Sequence, residues 1–453
     1  MSENKQPKPI SKSLKRFFGV GDFGFTFMSN IDTFYSSYFF TNIAKLPLAV
    51  ITVMTTISAV VDAILSAMYG AWMNKIKPQK WGRYRSWLLL TPWMVPILFA
   101  FQFITVADGW LGIAVMLIAM ITSRIAWNLP FIANLSMINV AGKTPEDRMA
   151  LSASRTMYTS LANVTYSYIG PAAVALLANF FGEQNSYAAA AFAFGALMAA
   201  GYYAHFKMFE GYEETGAEEL ARLKANAGAA AAPKVSAIKA ITVNPHLISL
   251  LISSLAKYMV LFLVNGLAVY YFEYVGLNPG LMSMFMLITN LLGVAAGYMS
   301  KHVVAKMGAK RTVTVAYLVM CTMMVIAYFL YKNVPLVIAL MTVTVFSMTM
   351  TNACEPELYA ACAGFSSKKL GVDTTGTVMG LLTVPLKIGI VIRGILIPAV
   401  LALGGFDASI LPADAGDSVR RGICLGFMII PAVCVAAGAL ILNMGYKLDK
   451  PAK

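Results

Sequence analysis

Twelve apolar runs of about 20 residues or more divide this chain, and that pattern fixes its fold class. A helix rises about 1.5 Å per residue, so 20 residues cross a hydrocarbon core about 30 Å thick. The runs fall at 17–44, 47–73, 86–107, 109–139, 150–181, 187–206, 243–275, 279–299, 312–331, 334–362, 374–403 and 422–446. Only 12% of the residues are charged, against about a quarter in a soluble domain. Backbone groups in lipid must bond within their own segment, and helices do so. The chain is therefore expected to be an all-α membrane protein with twelve transmembrane helices.

A net charge of +14 raises the question of nucleic acid, and its placement answers it. Of 35 Lys and Arg, 26 fall in the termini and in the loops after spans 2, 4, 6, 8 and 10; four lie on the opposite side and five within spans. That asymmetry is the positive-inside pattern, which places both termini in the cytoplasm. The polar start, MSENKQPKPISKSLKR, lacks the pattern of a cleavable signal peptide. Five Cys lie in spans without metal-ligand spacing, and three His form no cluster. No nucleophile elbow, phosphate loop or metal-binding helix is present. The expectation is a non-enzyme without a cofactor, with membrane lipid and a small molecule as its partners, and a monomer.

The segment 207–239 is charged at first and then Ala-rich, as suits a cytoplasmic connector. It separates six spans, 17–206, from six more, 240–447, with cytoplasmic tails at 1–16 and 448–453. The basic loop after span 2, NKIKPQKWGRYR, has a shorter counterpart after span 8, KHVVAKMGAKR. Matching loops in two halves are what parallel transporter repeats produce. Two pseudosymmetric six-helix halves are the major facilitator architecture.

Several stretches carry a closer resemblance. FFGVGDFGFTF opens span 1, VVDAILSAMYGAWMNKIKPQKWGRYRSWLL covers span 2 and its loop, and NLPFIANL lies in span 4. EDRMALSASR precedes span 5, VNPHLISLLI begins span 7, and PELYAACAGFSSKKLGVDTTGTVMGLLTVPLKIG runs through spans 10 and 11. Together these resemble the glycoside–pentoside–hexuronide:cation symporter family, the melibiose permease group of the major facilitator superfamily. The resemblance covers nearly the whole chain, and the loop after span 2 is its most specific part. It implies cation-coupled sugar uptake across a bacterial inner membrane, with substrate bound near the midplane. Of the family's two span-2 carboxylates, Asp62 stands at the first position and Ser66 at the second. The third, on span 4, is replaced by Asn128, and the sugar-contacting acid of span 1 falls at Thr26. The basic positions persist, with Arg155 and Lys387 matching, and Arg124 and Arg393 are additions.

An ionisable group at membrane depth costs about 3 kcal/mol or more, so it pairs, faces water or serves a function. The interior charges are Asp22, Asp32, Asp62, Arg124, Arg155, Lys257, Glu355, Glu357, Lys387 and Arg393. Asp22 and Lys257 read as span-end or packing charges, and Glu355 and Glu357 beside Pro356 as structural counter-charges. Arg124 stands in ITSRIAWNLPF, four residues before Asn128 and on the same helix face, with Trp127 offering a ring for stacking. Guanidinium binds carboxylate, sulfonate or phosphate through paired hydrogen bonds. Expected substrate contacts are Arg124, Trp127, Asn128, Arg155, Thr383, Lys387 and Thr26. Expected coupling residues are Asp62, Ser66 and Asp32, with H+ as the ion and Na+ as the alternative. Lys80, Arg83 and Arg85, with Lys75, are expected at the cytoplasmic gate. The reading is symport of an anionic sugar such as a hexuronide, glucuronide or sulfonated sugar. Its alternatives are a neutral glycoside symporter whose charges pair internally, Arg124 with Asp32 or Asp62, and an uncoupled facilitator or membrane sensor.

Overall fold

The computed structural model describes residues 10–77, 79–106, 109–142, 144–225 and 236–448. Among these residues the chain forms twelve long helical segments and no strand. They are α1 (Val20–Tyr38), α2 (Leu48–Lys75), α3 (Trp87–Phe101), α4 (Gly109–Ala141), α5 (145–181) and α6 (183–208). They continue as α7 (Pro245–Tyr270), α8 (Gly280–Met307), α9 (Ala309–Phe329), α10 (Val334–Leu370), α11 (Thr375–Leu403) and α12 (Asp417–Gly445).

α5 and α6 form a nearly unbroken rod, turned only at Gly182, whose φ of 78° suits a residue without Cβ. α1 is polar along one face, and α3 is short and interrupted by a tight turn at Pro92–Met94. α4 continues through Pro130, α5 through Pro171, and α10 through Pro356. α1 and α7 each run on into a wider turn, at Phe39–Ile43 and Tyr271–Val275, and α12 contains one at Leu425–Ile429.

The chain divides into two compact units. The first comprises Met1–Asp32 and Val60–Ala230. In it α3 packs against α4 and the α5–α6 rod. Gly24 allows α1 to approach α6: a Cβ there would lie 2.7 Å from the Met198 backbone. The second unit comprises Thr33–Ala59 and Ala231–Lys453, so the end of α1 and the start of α2 group with the later helices. In it α7 packs against α10, α11 and α12, and α10 against α8 and α9. Tyr38 Oη donates to Glu273 Oε1 at 2.7 Å, and Thr55 Oγ1 to the Gly394 carbonyl at 2.9 Å, which tie the early segment to α7 and α11.

The connector is more than a spacer. A helix, Gly216–Ala225, starts at a reciprocal cap: Thr215 N–H donates to Glu218 Oε2, and Glu218 N–H to Thr215 Oγ1. Residues 226–235 of the expected connector, the tail residues 1–9 and 449–453, and the Lys75 side chain lie outside the described residues.

Candidate functional site

In the first unit Asp32, Asp62, Arg124, Trp127 and Asn128 come together, from α1, α2 and α4. Arg124 Nη2 donates to Asp32 Oδ2 at 3.1 Å, and both side chains are nearly buried. Gln102, the residue that follows α3, donates weakly to the other Asp32 oxygen, at 3.3 Å. The guanidinium lies 5.4 Å from the Trp127 ring, which packs edge-on against Phe99. Arg124 Nε is buried and has no hydrogen-bond partner among the described residues. Asp32 thus takes one donor of the fork, Nη2, and Nε is left without a partner.

One turn further along α4, Asn128 Nδ2 donates to Asp62 Oδ1 at 2.6 Å and to the Arg124 carbonyl at 2.8 Å. Both partners are acceptors, so the amide must present its NH2 to them. Asn128 therefore offers Asp62 a donor rather than an oxygen ligand. Ser66 Oγ and Tyr69 Oη, one and two turns beyond Asp62, are buried without partners among the described residues.

Arg155 belongs to a second cluster. Its Nε donates to Asp22 Oδ1 at 2.6 Å, and Asn134 Nδ2 donates to Asp22 Oδ2 at 3.0 Å. Asn134 Oδ1 lies 2.7 Å from His205 Nδ1, and Gly21 N–H donates to His205 Nε2 at 3.1 Å. In the tautomer with the ring proton on Nδ1, the chain of bonds runs unbroken from His205 to Arg155. Arg155 also lies over Phe131, which stacks on Phe25. Thr26, one turn past Asp22, is buried, and Asn30 donates to Asn163 of α5 at 2.9 Å. Sequence reading had Asp22 near a span end, and the structure buries it to 1% exposure. It did not single out Asn30, Gln102, Asn134, Asn163 or His205. Amides inside a span carry no charge signal, and their intramembrane position is the one clue the sequence offers.

In the second unit, Thr383 is exposed and donates to the Gly380 carbonyl at 3.1 Å within a tight turn of α11. Lys387 is half-buried one turn on, and Arg393 is buried. Lys257 Nζ lies 2.6 Å from Glu355 Oε2.

The basic loop after α2 is held by the connector. Arg83 Nε donates to Glu219 Oε1 at 2.8 Å, while its Nη1 caps carbonyls of Met73 and Ile76 at the end of α2. Arg85 Nε donates to the Phe206 carbonyl and its plane covers the Phe206 ring at 4.3 Å. Glu213 accepts from the Tyr84 and Arg85 N–H groups at 2.9 and 2.8 Å. Burial pushes the Glu213 carboxyl above its usual range and lowers the Arg85 guanidinium. Lys80 is exposed and lies beside Trp81. No group of three His, Cys, Asp or Glu able to hold a metal gathers among the described residues.

Twelve helical segments among the described residues, nine stretches of them long and apolar enough to cross a membrane, with polar clusters buried inside each unit, define the class: a polytopic transporter of the major facilitator type. Solved structures share the fold. The chain superposes on a bacterial homologue of the lysosomal transporter Spinster with a TM-score of 0.65, at 12% identity and 97% coverage of both chains. On the nucleoside transporter NupG the TM-score is 0.61, at 13% identity, covering 96% of this chain and all of that one. The chain belongs to the MFS/sugar transport protein family, which it matches over residues 17–450. It is similar to a glucuronide carrier protein homolog of Escherichia coli, 22% identical over 92% of this chain and 90% of the relative. It also resembles a putative glycoside/cation symporter of the same organism, YagG, 21% identical over 95% and 91% respectively.

Proposed function

We propose that this protein is a proton-coupled symporter of an anionic sugar, a hexuronide or glucuronide in class, working by alternating access with both termini in the cytoplasm of a bacterial inner-membrane protein. The observation that carries this reading is the half-used Arg124 fork. A buried guanidinium with Nη2 on Asp32 and Nε without a partner keeps a donor for a second anion, which alternating access would bring to it. Trp127 beneath it supplies a stacking surface for a sugar ring. Asn128 turns a donor rather than an oxygen towards Asp62, which disfavours sodium, an ion that wants several hard oxygen ligands, and supports the proton as the coupling ion. Arg155, Lys387, Thr383 and Thr26 serve as further substrate contacts, and Ser66 and Asp32 as helpers in coupling. Import of a monoanion against an inside-negative potential costs about 2.3 kcal/mol per 100 mV, and one proton cancels that charge. The similarity to a glucuronide carrier homolog supports the anionic class.

A neutral glycoside is the second reading, favoured by the acid partners that Arg124 and Arg155 already have. Ligand-dependent melting of the purified protein separates the two, because a ligand that binds the native state alone raises the melting point. Glucuronate is expected to stabilise the wild type and to lose that effect in Arg124→Gln. Equal stabilisation of both proteins by glucose, with none by glucuronate, would support the neutral reading.

A further inference from the structure

The second unit has an ion pair of its own at membrane depth, which coupling through Asp62 leaves unused. Lys257 of α7 is 2% exposed. Its Nζ lies 2.6 Å from Glu355 Oε2 and donates to Asn352 Oδ1 at 2.9 Å. Both partners precede Pro356 on α10, and that proline has no N–H for the Asn352 carbonyl one turn back.

The groups facing the pair are Tyr258 of α7, Tyr317 of α9, and Cys354 and Tyr359 of α10 itself, with the exposed Glu357 beside Cys354. Among the described residues no charged or titratable group of α8, α11 or α12 is found interacting with it. Two of the tyrosines are committed elsewhere: Tyr317 Oη donates to the Ser253 carbonyl at 2.7 Å, and Tyr359 Oη to Ser254 Oγ at 3.4 Å. Lys257 is thus the cation that balances Glu355.

A buried pair is poor glue, because apolar residues of like volume often hold a fold as well or better. Charges at this depth are more often parts of ion pathways. The exposed side of α10 here carries Asn352, Ala353, Pro356, Glu357 and Ala360. Exposed positions elsewhere in the spans carry residues such as Phe329, Leu403, Val433 and Met444. An amide and a carboxylate among small residues fit water, and bulky apolar residues fit lipid. Asn352 therefore joins a watered face to a buried lysine and its acid.

We propose that Glu355 is a second proton-binding carboxylate, separate from Asp62 and carried by the other unit. A proton arriving along the Asn352 face converts the Glu355 carboxylate into a carboxylic acid. Lys257 is then left without its counter-charge and can take an anion, and loss of the proton restores the pair. This rests on the reading of the protein as a proton-coupled anion symporter, and it raises the capacity to two protons per cycle.

The test is infrared difference spectroscopy of the full chain in liposomes, taken from about pH 9 to about pH 5, across the range where perturbed carboxylates titrate. The wild type is compared with Glu355→Gln, Asp62→Asn and the neutral pair Lys257→Gln with Glu355→Gln. Melting curves report folding, and the double variant replaces Glu355→Gln if the single one does not fold. Two carboxyl carbonyl bands are expected to grow in the wild type on acidification, one lost with Glu355 and the other with Asp62. If replacing Glu355 removes no band, the pair is permanently ionised and the proposal is overturned, whatever Asp62 does. If only the Asp62 band is missing from the wild type, the Asp62 reading fails and the second site stands.

Discussion

Asp32→Asn should tighten the binding of an anionic sugar, against the usual expectation for a change inside a binding site. In the wild type, Asp32 holds Arg124 Nη2 at 3.1 Å, and the incoming carboxylate would bond to Nε beside it. The two carboxylates would then sit about 6 Å apart on one guanidinium, where at an effective dielectric of about 20 like charges repel by about 3 kcal/mol. Removing the Asp32 charge relieves that repulsion, which amounts to roughly 100-fold in affinity. Gln102 and the Trp127 face remain to hold the site's shape. Arg124→Gln moves the other way: hydrogen bonds to a charged group are worth about 1.5–3 kcal/mol, so affinity should fall roughly 10- to 150-fold. Isothermal titration of each purified variant with glucuronate, with glucose as the uncharged control, reads both effects. Weaker glucuronate binding in Asp32→Asn would show that Asp32 does not compete with substrate for Arg124, and the reasoning would be refuted.

Other expectations follow from the same contacts. Asp62→Asn should abolish uphill accumulation of a labelled glucuronide in vesicles while substrate exchange at equal concentrations persists; loss of both would move Asp62 from coupling to structure. Gly82→Ala should loosen the loop after α2, since Gly82 has a φ of 117° and a Cβ there would lie 2.5 Å from Glu213 Oε2. Strain of this kind costs about 1–3 kcal/mol, and faster proteolysis within the connector would report it. The Glu213 carboxyl is raised by burial above the 4.5 of a free glutamate, so the folded protein holds that proton more tightly than the unfolded chain. Its contribution to stability is accordingly full below about pH 4.5 and declines as pH rises through the higher folded value. Glu213→Gln should flatten that part of the melting-point profile, and an unchanged slope would count against the assignment.

The twelve spans were legible because lipid forces apolar runs, and they correspond one to one with α1–α12. Their ends were less so. A helix does not stop where the membrane does: α8 runs to Met307 and α10 to Leu370, each closed by a glycine of positive φ, Gly308 and Gly371. The polar stretch 182–186 read as a gap between spans, yet the helix continues through it after a single turn at Gly182. In the site, the sequence showed that Arg124 needs an anion but not which one. Asp32 and Asp62 both lie at suitable depth, and only the register of α1 and α2 against α4 assigns Asp32 to Arg124 and Asp62 to Asn128. Grasp of the basic loop by the connector was hidden for another reason. Glu213 binds backbone N–H groups, which every sequence offers, so no residue pattern marks the contact. The buried network from His205 to Arg155 was half hidden: Asp22 and Arg155 carry charge, but the link from Asp22 to His205 is the amide of Asn134.

The most direct test of the central claim is uptake of a labelled glucuronide by purified protein in sealed vesicles, with an inward proton gradient, an inward sodium gradient, or neither. The account predicts accumulation above the outside concentration with the proton gradient alone, abolished by a protonophore and absent for the matched neutral glucoside. Accumulation of the neutral glucoside alone, or equal downhill uptake under all three conditions, would contradict it.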